Sequence, residues 1–74
     1  MPELMIRQRA PELTSRERHV LLLARDGWQD GTIAFLLGIE PEDVAWHLRR
    51  VTAKLGADDR DGAIAAARQQ GLMA

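Results

Sequence analysis

One glycine, one proline and the apolar residues around them constrain the fold of this chain more than any other feature. Residues 29–55, QDGTIAFLLGIEPEDVAWHLRRVTAKL, carry a short apolar run, then Gly38, then Pro41 ahead of a longer run with helical spacing. Glycine permits the positive φ of a sharp turn, and proline is tolerated in the first turn of a helix. The pattern therefore predicts a short helix, a tight turn and a longer helix, which is the plan of a helix-turn-helix.

Helix start and stop signals on either side of this stretch predict two further helices. Residues 14–17, TSRE, form an S/T-x-x-E capping box that begins a first helix, and Gly27 ends it. Asp58 or Asp59 can cap a last helix over about 60–70. No stretch alternates with period two, so the predicted fold class is all-α with four helices.

The third of these helices has a buried stripe and an outward face. Its apolar positions recur at helical spacing, at Val44, His47 or Leu48, Val51 and Leu55. The residues left on or near the outward face are Glu42, Ala45, Trp46, Arg49, Arg50 and Ala53. The second helix is predicted to begin at an N-cap near Asp30. We expect Trp28, between the first two helices, to lie in the core.

The chain has the length of one small domain. Its 74 residues include no cysteine, which excludes a disulfide framework and thiolate metal sites. No apolar run is long enough to span a membrane, and the sequence is predicted to be cytoplasmic. Residues 1–12 are predicted to be an N-terminal arm, either disordered or docked through its apolar trio, and residues 13–74 the folded domain.

The charged residues are balanced in number but unevenly distributed. The sequence contains ten Lys and Arg residues and eleven Asp and Glu residues. Domains that bind duplex DNA unaided, in contrast, usually have a basic surface. Between Asp26 and Ala45 there are five acidic residues and no Lys or Arg. Basic residues follow in Arg49, Arg50 and Lys54. The start of the third helix is therefore predicted to repel phosphates, and its end to attract them.

Catalytic and metal sites have no convincing candidates in this sequence. His19 and His47 lie in different predicted helices, with no cysteine and no paired acid at ligand spacing. Ser15 is the only serine, and its place in the capping box gives it no catalytic triad. We therefore expect no enzyme activity, no metal and no cofactor.

Several strings at fixed spacing resemble one family. LTSRERHVLLLARDGW, IAFLLGI, Val44-x-x-His47, KLGADDR and AIAAARQQGL resemble the LuxR/NarL/GerE-type DNA-binding domain over about 13–72 without a gap. The resemblance implies a four-helix domain, found in some members as a standalone short form, whose third helix enters the major groove. It also implies that the fourth helix forms a two-fold dimer on DNA. Carried over by position, the DNA-facing sites are Asp43, Ala45, Trp46, Arg49 and Lys54, and the dimer contacts are Ala63, Ala66, Ala67 and Gln70.

Departures from the family pattern are concentrated at the positions implied to contact DNA. The family usually has Ser or Thr where this chain has Gln29 and Glu40, and Lys where it has Gly31 and Ala45. Trp46 replaces a smaller residue, and three outcomes are open for it: an anchor for a partner protein, a wedge on DNA, or packing on its neighbours.

Two functional hypotheses follow from these observations. The first is a small standalone transcriptional regulator that binds DNA as a dimer through its third helix, with contacts weakened by Glu40, Glu42 and Asp43. The predicted DNA-binding residues are Trp46, His47, Arg49, Arg50 and Lys54. The second is a degenerate helix-turn-helix that has lost DNA binding and acts by protein contact, for example by pairing with a related regulator and inhibiting it.

Overall fold

The fold consists of four helices, and the third of them packs against the other three. The computed structural model describes residues 12–72, and the predictions for residues 1–11 lie outside this range. Within it there is no strand, so the predicted all-α class is confirmed. In chain order the helices are α1 (Ser15–Arg25), α2 (Asp30–Leu37), α3 (Pro41–Lys54) and α4 (Arg60–Gln69).

Local hydrogen bonds account for the start of α1. The Glu17 backbone N–H donates to Thr14 Oγ1 at 3.0 Å, and the Thr14 N–H donates to Glu17 Oε1 at 2.9 Å. These two bonds satisfy backbone donors that the first turn of a helix leaves unpaired, as the capping box predicts.

The other helix starts follow the sequence signals in part. Pro41 is the first residue of α3, and Asp59 caps α4 by accepting from the Gly62 N–H at 2.7 Å. The predicted cap at Asp30 is wrong, because Gln29 is the N-cap residue of α2 and makes no side-chain capping bond. Asp30 instead forms an ion pair with Arg60, which ties the start of α2 to the start of α4.

The turn between α2 and α3 has the predicted geometry. Gly38 has φ +70°, the left-handed conformation that glycine adopts without steric cost. The Ile39 N–H reaches back to the Ala34 carbonyl at 3.0 Å and closes the end of α2. The direction of α3 relative to α2 is therefore determined within three residues.

Helix α3 contributes to both parts of the hydrophobic core. Val44 and Leu48 pack in a first cluster with residues of α1 and α2. Val51 and Leu55 pack in a second cluster with Leu21 and residues of α4. The predicted stripe of α3 is confirmed, with Leu48 rather than His47 at the buried position.

The predicted place of Trp28 in the core is wrong, because the residue is 47% exposed. It lies in the connection between α1 and α2, where its backbone N–H donates to the Leu23 carbonyl at 3.2 Å. The core next to this connection is built from the smaller side chains Ala24 and Ala34. The backbone of Trp28 closes the end of α1 while its ring stays at the surface.

Candidate nucleic-acid interface

The outward face of α3 is exposed because the opposite face is anchored in the core. Val44 and Val51 are fully buried, and Leu48 is nearly so. A helix buried along one stripe presents the opposite side to solvent. The exposed residues of α3 include Glu42, Trp46, Arg49, Arg50 and Ala53, as the helical spacing predicts.

Acidic side chains dominate the leading end of α3. Glu40, Glu42 and Asp43 are all exposed, and the Glu40 N–H donates to Asp43 Oδ2 at 3.3 Å. Carboxylates suit this position because the start of a helix carries a partial positive charge. No lysine or arginine occurs between Arg25 and Arg49 in the sequence to offset them.

The trailing end of α3 has a different charge balance from the one the sequence predicts. Lys54 Nζ lies 2.7 Å from Glu17 Oε1, and Arg50 Nε lies 3.1 Å from Glu17 Oε2. Lys54 Nζ also donates to the Glu12 carbonyl at 3.3 Å. Two of the three cations predicted to contact DNA therefore share a carboxylate of α1, so their positive charge is partly neutralised.

Glu17 is an unusual residue for a core, because its side chain is only 1% exposed. Burial raises the pKa of the Glu17 carboxyl. The hydrogen bonds from Lys54, the Thr14 backbone and Arg50 outweigh this effect and lower the pKa from an ordinary value near 4.5 to about 2. Glu17 is thus ionised at neutral pH and fastens α1 to α3.

Sequence reasoning assigned Glu17 only to the capping box and missed its contact with α3. Its spacing contained a signal, since Glu17 precedes Val20, Leu21 and Ala24 by three, four and seven residues. These three side chains are buried, and residues at this spacing share one face of a helix. An acid on a buried face needs a cationic partner, and the sequence did not identify which one.

Trp46 is half exposed and partly covered by residues of its own helix. The Arg50 guanidinium carbon lies 4.9 Å from the centre of the Trp46 ring, in cation–π range. The His47 ring meets it edge-on, with the ring centres 5.0 Å apart. The 48% of Trp46 that remains exposed is available for contact, so packing on neighbours accounts for only one side of the ring.

His47 and Arg49 differ in their access to solvent. His47 is partly buried, and its Nδ1 atom is buried with no hydrogen-bond partner among the described residues. Arg49 is exposed and forms no ion pair with the part of the chain that the structure describes. It borders an open cleft of about 400 Å³ that Thr52, Asp59 and Arg60 also line. Among the described residues, Arg49 is consequently the predicted DNA-binding cation that no carboxylate neutralises, whereas Arg50 and Lys54 both pair with Glu17.

The four predicted dimer residues of α4 separate into two pairs. Ala63 and Ala67 are fully buried and pack against Leu21, Val51 and Leu55 in the second cluster. Their predicted role as dimer contacts is therefore wrong. Both are core residues, which a second copy cannot reach in this fold. Ala66 is partly buried and Gln70 is exposed, so both can meet a partner.

Two other kinds of feature, a membrane-spanning helix and a metal-binding cluster, can be assessed for residues 12–72. Among residues 12–72 no helix is long and apolar enough to cross a membrane. The same range contains no group of three His, Cys, Asp or Glu side chains that could hold a metal ion.

Comparison with known proteins places this geometry in a family. The family model described as bacterial regulatory proteins, luxR family, matches residues 11–67. The chain is 42% identical to the probable transcriptional regulatory protein NarL of Mycobacterium tuberculosis, over 92% of this chain and 33% of that protein. It is 41% identical to the transcriptional activator protein AhyR of Aeromonas hydrophila, over 82% of this chain and 24% of that protein. The chain thus spans about a third or less of these curated relatives.

Two solved structures have the same fold. The transcription factor GerE superposes with a TM-score of 0.80 at 29% identity, over 84% of this chain and 92% of that chain. The response regulator ChrA of a heme-sensing two-component system superposes with a TM-score of 0.80 at 39% identity, over 84% of this chain and 31% of that one. The matched family consists of regulatory proteins rather than enzymes, in agreement with the expectation from the sequence. The chain belongs to the LuxR family of bacterial regulatory proteins and is a GerE-like helix-turn-helix domain.

Proposed function

We propose that this chain is a cytoplasmic transcriptional regulator that binds duplex DNA through the outward face of α3. The observation that carries the proposal is the anchoring of α3 by Val44, Leu48 and Val51, which leaves Arg49 exposed on the opposite face. Related proteins named as transcriptional regulators support the same activity. Exposed arginine on a helix held in this way can bind a phosphate or a guanine edge.

Arg50 and Lys54 have a modified role in this proposal. Their bonds to Glu17 use one Arg50 nitrogen and part of the Lys54 ammonium, so each group keeps N–H donors for a phosphate. A side chain that is already held in place loses less conformational entropy when it binds. Glu17 therefore lowers the net charge of this end of α3 but orients the cations that remain. Trp46 and His47 stand beside them as the aromatic part of the contact.

Dimer formation through α4 is part of the proposal, with a smaller contact than the sequence predicts. With Ala63 and Ala67 in the core, the contact rests on Ala66 and Gln70, and on the exposed Ala65 next to Ala66. Small side chains on an exposed helix face allow a second helix to approach closely. Two copies related by a two-fold axis would then present their α3 helices to successive half-sites.

Titration of labelled mixed-sequence duplex DNA with the protein at low and high salt tests the DNA-binding proposal. We expect fluorescence anisotropy to show binding at about 50 mM salt that falls steeply by about 200 mM, because released counterions drive phosphate binding. Arg49→Ala should weaken binding on all sequences and reduce the salt slope by about 1. Arg25→Ala, at the end of α1, is the matched control. Absence of binding at low salt, at concentrations where the protein dimerises, would exclude the proposal.

A second candidate function is supported by the exposed acids at the leading end of α3. Glu40, Glu42 and Asp43 face solvent where a DNA-binding helix approaches phosphates, and like charges repel. In this alternative the chain pairs through α4 with a related regulator and prevents it from binding DNA. A mixture of the protein with such a regulator should then lose operator binding, whereas Gln70→Glu in α4 should restore it.

A further inference from the structure

The second helix has an apolar face that no described residue covers. Phe35 is 84% exposed and Leu36 is 53% exposed, whereas Ile33 and Ala34 on the other side of α2 are buried. A short helix that is apolar on both faces is expected to be buried on both, and this one is buried on only one. Adjoining exposed apolar residues can mark interaction surfaces in soluble proteins.

Exposed acidic side chains follow this apolar face within a few residues along the chain. Helix α2 ends at Leu37 and α3 begins at Pro41, so the chain passes from Leu36 to Glu40 within about 15 Å. Glu42 and Asp43 follow in the exposed first turn of α3. We call the surface formed by Phe35, Leu36, Glu40, Glu42 and Asp43 the acidic apolar patch.

The charge of the acidic apolar patch determines which partners it can accept. Three carboxylates repel the phosphates of DNA and of anionic lipids. A two-fold contact between two copies would bring both sets of carboxylates into one interface, because both subunits use the same surface in such a contact. The remaining class of partner is apolar and positively charged.

We propose that the acidic apolar patch docks a basic amphipathic helix of another protein. The apolar face of such a helix would cover Phe35 and Leu36, and its Lys or Arg side chains would reach the carboxylates of Glu40, Glu42 and Asp43. This is the helix-in-groove type of peptide recognition, in which apolar anchors give affinity and flanking charges give orientation. The patch lies outside the cations of α3, so this contact does not depend on the proposed DNA binding.

A pair of synthetic peptides tests the proposal with the full chain. One peptide is an amphipathic helix of leucine and lysine, and the other has the same pattern with glutamate in place of lysine. We expect fluorescence anisotropy to detect binding of the lysine peptide alone, with an affinity that decreases as salt screens the charges. Phe35→Ser with Leu36→Ser should weaken this binding at least tenfold, and Glu42→Gln with Asp43→Asn about fivefold.

Matched controls separate the patch from general charge attraction. Asp26→Asn with Asp61→Asn removes the same charge at exposed positions elsewhere and should change peptide affinity less than twofold. Arg49→Ala, which tests DNA binding, should leave peptide binding intact. Thermal unfolding monitored by circular dichroism confirms that each variant is folded. Equal binding of both peptides, or equal effects of patch and control variants, would overturn the proposal. Sedimentation showing a dimer that Phe35→Ser with Leu36→Ser converts to monomer would also overturn it, since a second copy would then cover the patch.

Discussion

The two ends of α3 carry opposite charges in the sequence, but they differ more in how those charges are used. At the leading end, Glu40, Glu42 and Asp43 are exposed and make only local contacts. At the trailing end, Arg50 and Lys54 are held by the buried Glu17 of α1. The negative charges of the leading end are thus not neutralised by a described partner, whereas the positive charges of Arg50 and Lys54 are partly neutralised by the buried Glu17.

This difference shows that the charged residues of a helix do not by themselves give the net charge of its surface. A buried partner on another helix can neutralise some of them. The sum over residues 40–54 suggests a helix with balanced ends. Glu17, which is 23 residues or more away in the sequence, shifts the balance toward the acids. The same residue contributes to stability at neutral pH, because its lowered pKa means that the folded state favours the ionised carboxylate.

Removal of the Glu17 carboxylate should have the largest effect on the trailing end. We expect Glu17→Ala to lower the free energy of unfolding by about 4 kcal/mol, since it breaks a buried ion pair and the capping box together. Urea unfolding monitored by circular dichroism measures the change. Glu42→Ala at the leading end is the matched control and should cost less than about 1 kcal/mol. Similar losses in both variants would mean that the two ends do not differ as described.

Acidification should have the second-largest effect, a loss of stability that arises at the trailing end. The pKa of Glu17 is lowered in the fold, so its contribution to stability is complete above the ordinary value near 4.5 and is lost as pH falls toward about 2. The expected loss is about 3 kcal/mol in the free energy of unfolding. Urea unfolding at neutral pH and near pH 2 measures it. In Glu17→Gln this loss should be smaller by nearly the same amount, and an unchanged pH dependence would contradict the assignment.

Neutralisation of the leading end should have the smallest effect, and it should appear in DNA binding. Glu42→Gln with Asp43→Asn removes repulsion from phosphates, and we expect duplex DNA to bind about fivefold more tightly at low salt. The difference should vanish at high salt. Asp26→Asn with Asp61→Asn is the control for net charge. An equal gain in this control would show that the position of the acids on α3 does not matter.

The elements of the fold were predictable because local interactions determine them. The capping box at Thr14, the positive φ of Gly38 and the place of Pro41 depend on neighbours within a few residues. The buried stripe of α3 follows from helical spacing alone. The resemblance to the LuxR family was also visible in the sequence, because it rests on motifs at fixed spacing.

The candidate site was predictable only in part. The exposure of Trp46 and Arg49 follows from the stripe, but the burial of Ala63 and Ala67 depends on how closely α4 approaches α1 and α3. Small side chains suit a core and a dimer contact equally well, so their role could not be chosen from the sequence. The exposure of Trp28 also depends on the space left between neighbouring helices.

By itself the sequence determined four helices, most of their ends, the turn at Gly38 and the face of α3 that is buried. Only the tertiary structure decided that Glu17 binds Arg50 and Lys54, which lie 33 and 37 residues away along the chain. The physical reason is range. Capping, turn geometry and helical spacing act over a few residues, whereas this ion pair depends on where two packed helices cross.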